Sequence, residues 1–307
     1  MIRNQVSSRA PKRPKHHLRA AVLAAGHELL IERGLEGGAT SVSLHAAIAR
    51  AADNLGERVT PASVYGRIWE SQSSFQNDVL LTAARGYPAG EEAPTADAAF
   101  RVISTADRST PAARKAALHE VWCVAGSVHV GVLEASRSWQ LWVGVWALTV
   151  STPSTADDEV LGPALRQGDE SATGALRDLL AGIIDSLGHR ARSPFTVDDF
   201  AVAVACLAEG FALRERFGAK RRMVTLPVGD VAMSWTPFAA ALRALASDYL
   251  EPVPRWKPAR LGERLPQDVG AIHLPALLGG VLPPSVGATS LLASPSVEVT
   301  RRPMKRS

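Results

Sequence analysis

A helical period runs from residue 18 to residue 250 with few breaks, and start signals punctuate it; this limits the chain more than any other feature. Leu18, Val22, Ala25 and Leu29 fall at offsets 0, 4, 7 and 11, one face of a helix, and Gly34 after Glu32 and Arg33 suits its end. Ser43 suits the cap of a second helix whose inner face is Leu44, Ala47, Ile48 and Ala51. Thr60 and Pro61 place a capping hydroxyl ahead of a proline at the first helical position, which predicts a short third helix over 61–68. Ser71 opens a fourth, with Phe75, Val79 and Ala83 at spacing four, ending near Gly86.

Residues 88–97 read as a joint between two units. Helices then resume. Thr110-Pro111 repeats the start signal ahead of Leu118, Val121, Trp122, Ala125, Val128, His129 and Val132. Trp139, Trp142, Val143 and Trp146 follow at offsets 0, 3, 4 and 7, and residues 172–187 keep the same period. Thr196 and Asp199 form a capping box for a helix carrying Phe200, Val204, Leu207 and Phe211. Thr236-Pro237 starts the last, with Phe238, Ala241, Leu242, Leu245 and Tyr249. No stretch holds a sustained period of two, so the expected fold is all-α. Beyond Tyr249 the period stops. Nine of the twenty prolines lie in 251–307, which predicts a flexible tail, although residues 274–282 are apolar enough to dock.

Charge divides the chain differently. Residues 1–20 hold six basic side chains and no acid, residues 251–307 eight basic and four acidic, and the stretch between is net acidic. An arm carrying Lys12, Arg13 and Lys15 with Pro11 and Pro14 has no apolar face to bury but can neutralise phosphates. A merely solvated start is the competing reading. Two cysteines, Cys123 and Cys206, cannot make a disulfide framework, and no apolar run follows the basic start, which points to the cytoplasm. The longest apolar run, 139–150, falls short of the roughly 20 residues of a membrane-spanning helix, so no membrane is expected.

Three short helices and a fourth, the third one turn-capped, have the order of a helix-turn-helix unit, which sets its second motif helix in the DNA major groove. The residues that carry this are Ala25-Gly-His-Glu-Leu-Leu-Ile-Glu-Arg-Gly-Leu35, Ser43-Leu-His-Ala-Ala-Ile-Ala-Arg-Ala-Ala52, Thr60-Pro-Ala-Ser-Val-Tyr-Gly-Arg-Ile-Trp69, and Ser71. In this order the chain resembles the tetracycline-repressor (TetR) family of bacterial regulators, by motif over 18–86 and by architecture over 87–250. The resemblance implies an arm (1–17), a helix-turn-helix DNA-binding domain (18–86), a larger helical ligand-binding and dimerisation domain (87–250) and the tail (251–307).

By that resemblance Thr60, Pro61, Ala62, Ser63, Tyr65 and Arg67 face DNA, with Lys12, Arg13 and Lys15 adding a phosphate grip. Their chemistry fits: hydroxyls and a phenol for phosphates, a guanidinium for a phosphate or a guanine edge, and a helix N-terminus at Pro61 and Ala62 close enough for a dipole contact. Two departures stand out. Asp53 to Val59 adds residues between the second and third helices, leaving either the helix or the turn longer. One extra residue between Tyr65 and Trp69 lets either Ile68 or Trp69 close the core. Residues 21–86 also carry five basic against seven acidic side chains, so phosphate attraction falls largely to the arm.

The resemblance further implies a homodimer through residues 197–217 and 237–250, a pseudo-palindromic operator, and a repressor released by a ligand. Trp122, Trp139, Trp142 and Trp146 with His119 are the expected lining for a small apolar or aromatic ligand; a plain core is the alternative for that stripe. No cofactor is implied. His119 and Cys123 are metal-ligand types at spacing four, without a recognisable third ligand. The acids at 157–159 and 198–199 are consecutive and point apart on a helix, so no catalytic pair is expected, and phosphate-loop, nucleophile-elbow and zinc-protease motifs are absent. The chain is therefore not expected to be an enzyme. A helical protein-interaction module, or an all-α enzyme that ignores DNA, is the competing class.

Overall fold

The computed structural model describes residues 14–35, 41–86, 92–151, 158–220, 222–257 and 302–303. The fold is all-α, and the chain divides into two compact units between Ala83 and Ala84.

Four helices build the first unit: α1 (Lys15–Arg33), α2 (Leu44–Leu55), α3 (Pro61–Val64) and α4 (Gln72–Arg85). The Ser43 hydroxyl accepts from the Ala46 N–H to cap α2, and Gly34 ends α1 at φ 71° with its N–H on Leu30 O. Val22, Ala25, Leu30, Leu44, Ala47, Ala51, Val64 and Phe75 are fully enclosed. Helices α1 and α4 meet at Gly26, where an added Cβ would lie 2.6 Å from Phe75 Cζ and 2.8 Å from Val79 Cγ2. Only glycine fits there without displacing the ring.

In the second unit α5 (Ala93–Thr105), α6 (Pro111–Ala135), α7 (Arg137–Ser151), α8 (Asp158–Ser186), α9 (Val197–Arg216) and α10 (Pro237–Tyr249) are joined by short strands. Helix α6 is the centre, packed against α5, α9 and α10. It is long and apolar enough by composition to cross a membrane, unlike the 139–150 run, and 56% of its most apolar window is buried in the unit. The hydroxyls of Thr110, Thr196 and Thr236 cap α6, α9 and α10 as read from the sequence.

Several expectations need correction. Helix α5 occupies part of the supposed joint, because Ala98, Ala99, Val102 and Ile103 give it a buried face. Helix α8 begins near Asp158, well before residue 172. A β-hairpin, β2 (Val224–Val228) and β3 (Val231–Trp235), turns at Gly229 with φ 57°, and β3 also pairs with the short β5 (Arg302–Pro303). The tail does not start at 251: β1 (His189–Ala191) pairs antiparallel with β4 (Leu250–Pro252), Val253 N–H donates to Gly188 O, and the Arg114 guanidinium stacks 5.1 Å from the Trp256 ring. Residues 274–282 lie outside the described residues.

Gly188 sits under that closure at φ 65°, and an added Cβ would lie 2.7 Å from the Trp256 ring and 2.8 Å from Arg114 Nε. Gly188→Ala should therefore lower unfolding free energy by about 1–3 kcal/mol, through left-handed strain and overpacking. Chemical denaturation followed by circular dichroism checks this; an unchanged midpoint contradicts it.

Candidate nucleic-acid interface and ligand cavity

Helix α2 runs three residues past Ala52 and stops at Gly56, left-handed at φ 63°, with its N–H on Ala52 O and Asp53 O. Both alternatives for the insertion thus apply: the helix is longer, and residues 56–60 form a longer turn.

The third helix is shorter than 61–68. It is a single turn, four residues, and Tyr65 already has extended ψ 134°. Gly66 at φ 68° then reverses the chain, Gly66 N–H donates to Trp69 O, and Tyr65 and Trp69 form an isolated bridge. The extra residue before Trp69 is absorbed in this turn, and Trp69 rather than Ile68 closes the core at 2% exposure.

Trp69 is held from three sides. Its ring meets Phe75 edge-on at 5.1 Å, its indole N–H donates to Asp78 Oδ2 at 2.6 Å, and Arg19 lies 5.7 Å from the ring centroid. Arg19 Nη2 reaches the same Asp78 oxygen at 2.6 Å. Gln72, which sequence reasoning passed over, ties α4 to the start of α2: its Oε1 accepts from Leu44 N–H and its Nε2 donates to Val42 O, each at 2.8 Å. Only a long polar amide at the first position of α4 could have signalled that role.

With Val64 and Trp69 inward, Pro61, Ala62, Tyr65 and Arg67 are left exposed together on one short segment, while Thr60 and Ser63 are half-buried. Two expected roles change. The Thr60 hydroxyl makes no capping bond, because the Ser63 N–H it would serve donates to Thr60 O at 2.9 Å; the Ser63 hydroxyl donates to the same carbonyl at 2.6 Å. A one-turn helix starting with proline also has almost no aligned dipole and one fewer N–H, so the N-terminal phosphate contact loses its basis. Arg67 makes no ion pair among the described residues, whereas Arg50 is held by Glu32 at 2.8 Å and Glu28 at 3.6 Å. Lys15 is exposed at the start of α1; Lys12 and Arg13 lie outside the described residues.

In the second unit the tryptophan stripe separates. Trp139 is fully buried in the core, and Trp142, also buried, donates its indole N–H to Ala84 O at 3.2 Å. Trp146 is half exposed on α7. His119 and Trp122 instead line a cavity of about 310 Å3 between α6, β1 and the end of α10, with Leu118, Leu250 and Pro252 among its walls. Burial, then Arg243, Lys115 and His189, push the His119 imidazole down to about 4, so it is neutral at pH 7. The Cys123 thiol, pushed up to about 12 by burial, donates to Ser234 O at 3.4 Å. A second void, of about 20 Å3 beside Glu92, His129 and Glu209, has room for a water and not for an organic ligand.

No protein-family model, curated protein or solved structure matches the chain.

The two faces of the 60–69 segment predict opposite outcomes. Trp69→Ala should cost about 3–5 kcal/mol and melt the first unit, since it removes a buried ring and one of the two hydrogen bonds that Asp78 accepts. Arg67→Ala should leave the melting curve unchanged. Thermal denaturation of both variants decides; equal effects contradict this placement.

Proposed function

We propose that the chain is a sequence-specific DNA-binding transcriptional regulator, of the kind its resemblance to the TetR family implies. The observation that supports this best is the exposed cluster Pro61, Ala62, Tyr65 and Arg67, presented on a segment whose other side is locked by Trp69 and Val64. Such a segment has a rigid back and an outward face free of acids. In this reading Arg67 meets a guanine edge or a phosphate, Tyr65 offers its phenol to a phosphate, and Pro61 and Ala62 allow close approach of backbone. The basic residues of 1–20, Lys15 included, supply the sequence-independent attraction that an acidic folded unit lacks.

The regulator acts as a homodimer through residues 197–217 and 237–250, which include α9 and α10. Both helices contribute to the core, yet α9 still exposes Val202 at 51% and the residue after it, Phe217, at 86%. Apolar surface of that kind favours a partner. Two copies present two 60–67 segments to a pseudo-palindromic site. A ligand in the second unit releases the DNA, which makes repression the default state.

Fluorescence anisotropy on duplexes enriched from a random-sequence library tests the reading. Affinity should fall with log salt at a slope of about −0.9 per neutralised phosphate, and deleting residues 1–13 should flatten that slope. Arg67→Ala should weaken specific binding by about 1–3 kcal/mol. Salt-indifferent binding, or full affinity after Arg67→Ala, would sink the assignment. Light scattering at low concentration should report a dimer; a clean monomer removes the two-fold site.

A further inference from the structure

We propose that the cavity between α6, β1 and the end of α10 binds a small organic carboxylate carrying an aromatic ring or a short apolar chain. The site stands on the cavity itself; only its consequence for DNA rests on the regulator reading.

Three segments distant in sequence build it. Lys115, His119 and Trp122 lie at spacings of four and three on one face of α6. His189 belongs to β1 and Arg192 follows it directly, while Ser247 and Leu250 come from the end of α10 and the start of β4. The volume of about 310 Å3 is at the lower end of the ~300–1,000 Å3 typical of ligand pockets, which suits a compact acid.

The lining carries charge of one sign. Lys115 and Arg192 are cationic, His119 and His189 are imidazoles, and no carboxylate lines the cavity among the described residues. Arg192 is also held in place: its backbone N–H donates to Tyr249 O at 2.8 Å, and Nη2 donates to Ser247 O and Leu250 O at 3.3 Å. Its Nε and Nη1 take no partner among the described residues, the arrangement from which a guanidinium grips a carboxylate.

Trp122 is 2% exposed and lines the cavity, and its ring packs edge-on against Phe200, so it belongs to the apolar wall. His189 Nδ1 lies 2.9 Å from Leu187 O and serves that carbonyl, so the cationic donors for the acid are Lys115 and Arg192. Pro111, Leu118, Leu250 and Pro252 supply walls that solvate no free phosphate but suit a hydrocarbon body.

Calorimetry on the full chain with hydrocinnamate, benzoate and octanoate, against hydrocinnamamide and inorganic phosphate, tests the proposal. At least one acid should bind saturably, and the amide at least about ten-fold more weakly than hydrocinnamate. Fluorotryptophan-labelled protein should shift the Trp122 fluorine signal, assigned through Trp122→Phe, on titration. Lys115 and Arg192 are exposed, so Lys115→Gln and Arg192→Gln should keep the fold and each weaken the acid by about ten-fold while leaving the amide unchanged. The proposal is overturned if none of the acids saturates, if amide or phosphate matches them, or if both variants bind like the parent. DNA affinity, measured separately, distinguishes the two readings. Acid binding without any DNA binding removes the regulator and keeps the site. DNA binding without acid binding does the reverse.

Discussion

One carboxylate oxygen organises the first unit. Asp78 Oδ2 accepts from the Trp69 indole and from Arg19, both at 2.6 Å, and so joins α1, α4 and the turn that follows α3. Charge-assisted bonds to a half-enclosed carboxylate are stronger than neutral ones, and the Trp69 ring they fix is itself buried against Phe75. With that ring in place Val64 must turn inward and Tyr65 and Arg67 outward. The exposed face of a one-turn helix, too short to be stable alone, thereby inherits its geometry from a tertiary contact.

In the second unit the equivalent constraint is α6. It packs against α5, α9 and α10, so its apolar residues fill the core, and its first turns line the larger cavity. There the β1–β4 pair, Arg114 and Trp256 close one edge, and the small side chains of Ala112 and Ala246 are among the cavity walls. Trp122 thus belongs both to the core and to the cavity wall.

Local signals were legible in the sequence. The caps at Ser43, Thr110, Thr196 and Thr236 form as read, because an N-cap bond involves residues only three apart. Thr60 failed for the same reason: in a single turn the amide it would serve goes to its own carbonyl. The length of α3 depended on whether Trp69 or Ile68 turned inward, and that is settled by Phe75, Asp78 and Arg19 at a distance. Gly66 was the local hint, since a glycine inside a short helix marks a place for positive φ. The 224–235 hairpin had a readable turn, Gly229-Asp230, between runs containing Val224, Thr225, Val228 and Val231. Helical periods on both sides masked it. Of the expected ligand residues, periodicity could place Trp122, Trp139, Trp142 and Trp146 on two helices but not say which would border a void. The contributions of His189 and Arg192 depend on a strand pairing across about sixty residues, which no local pattern carries.

Amide hydrogen exchange of the chain with and without its selected duplex is the most direct measurement of the central claim, that the 60–67 segment is the surface that meets DNA. The account predicts slowed exchange concentrated in residues 60–67, with the buried stretch around Trp69 already protected in the free protein. Protection confined to the second unit, with 60–67 exchanging at the same rate in both states, would contradict it.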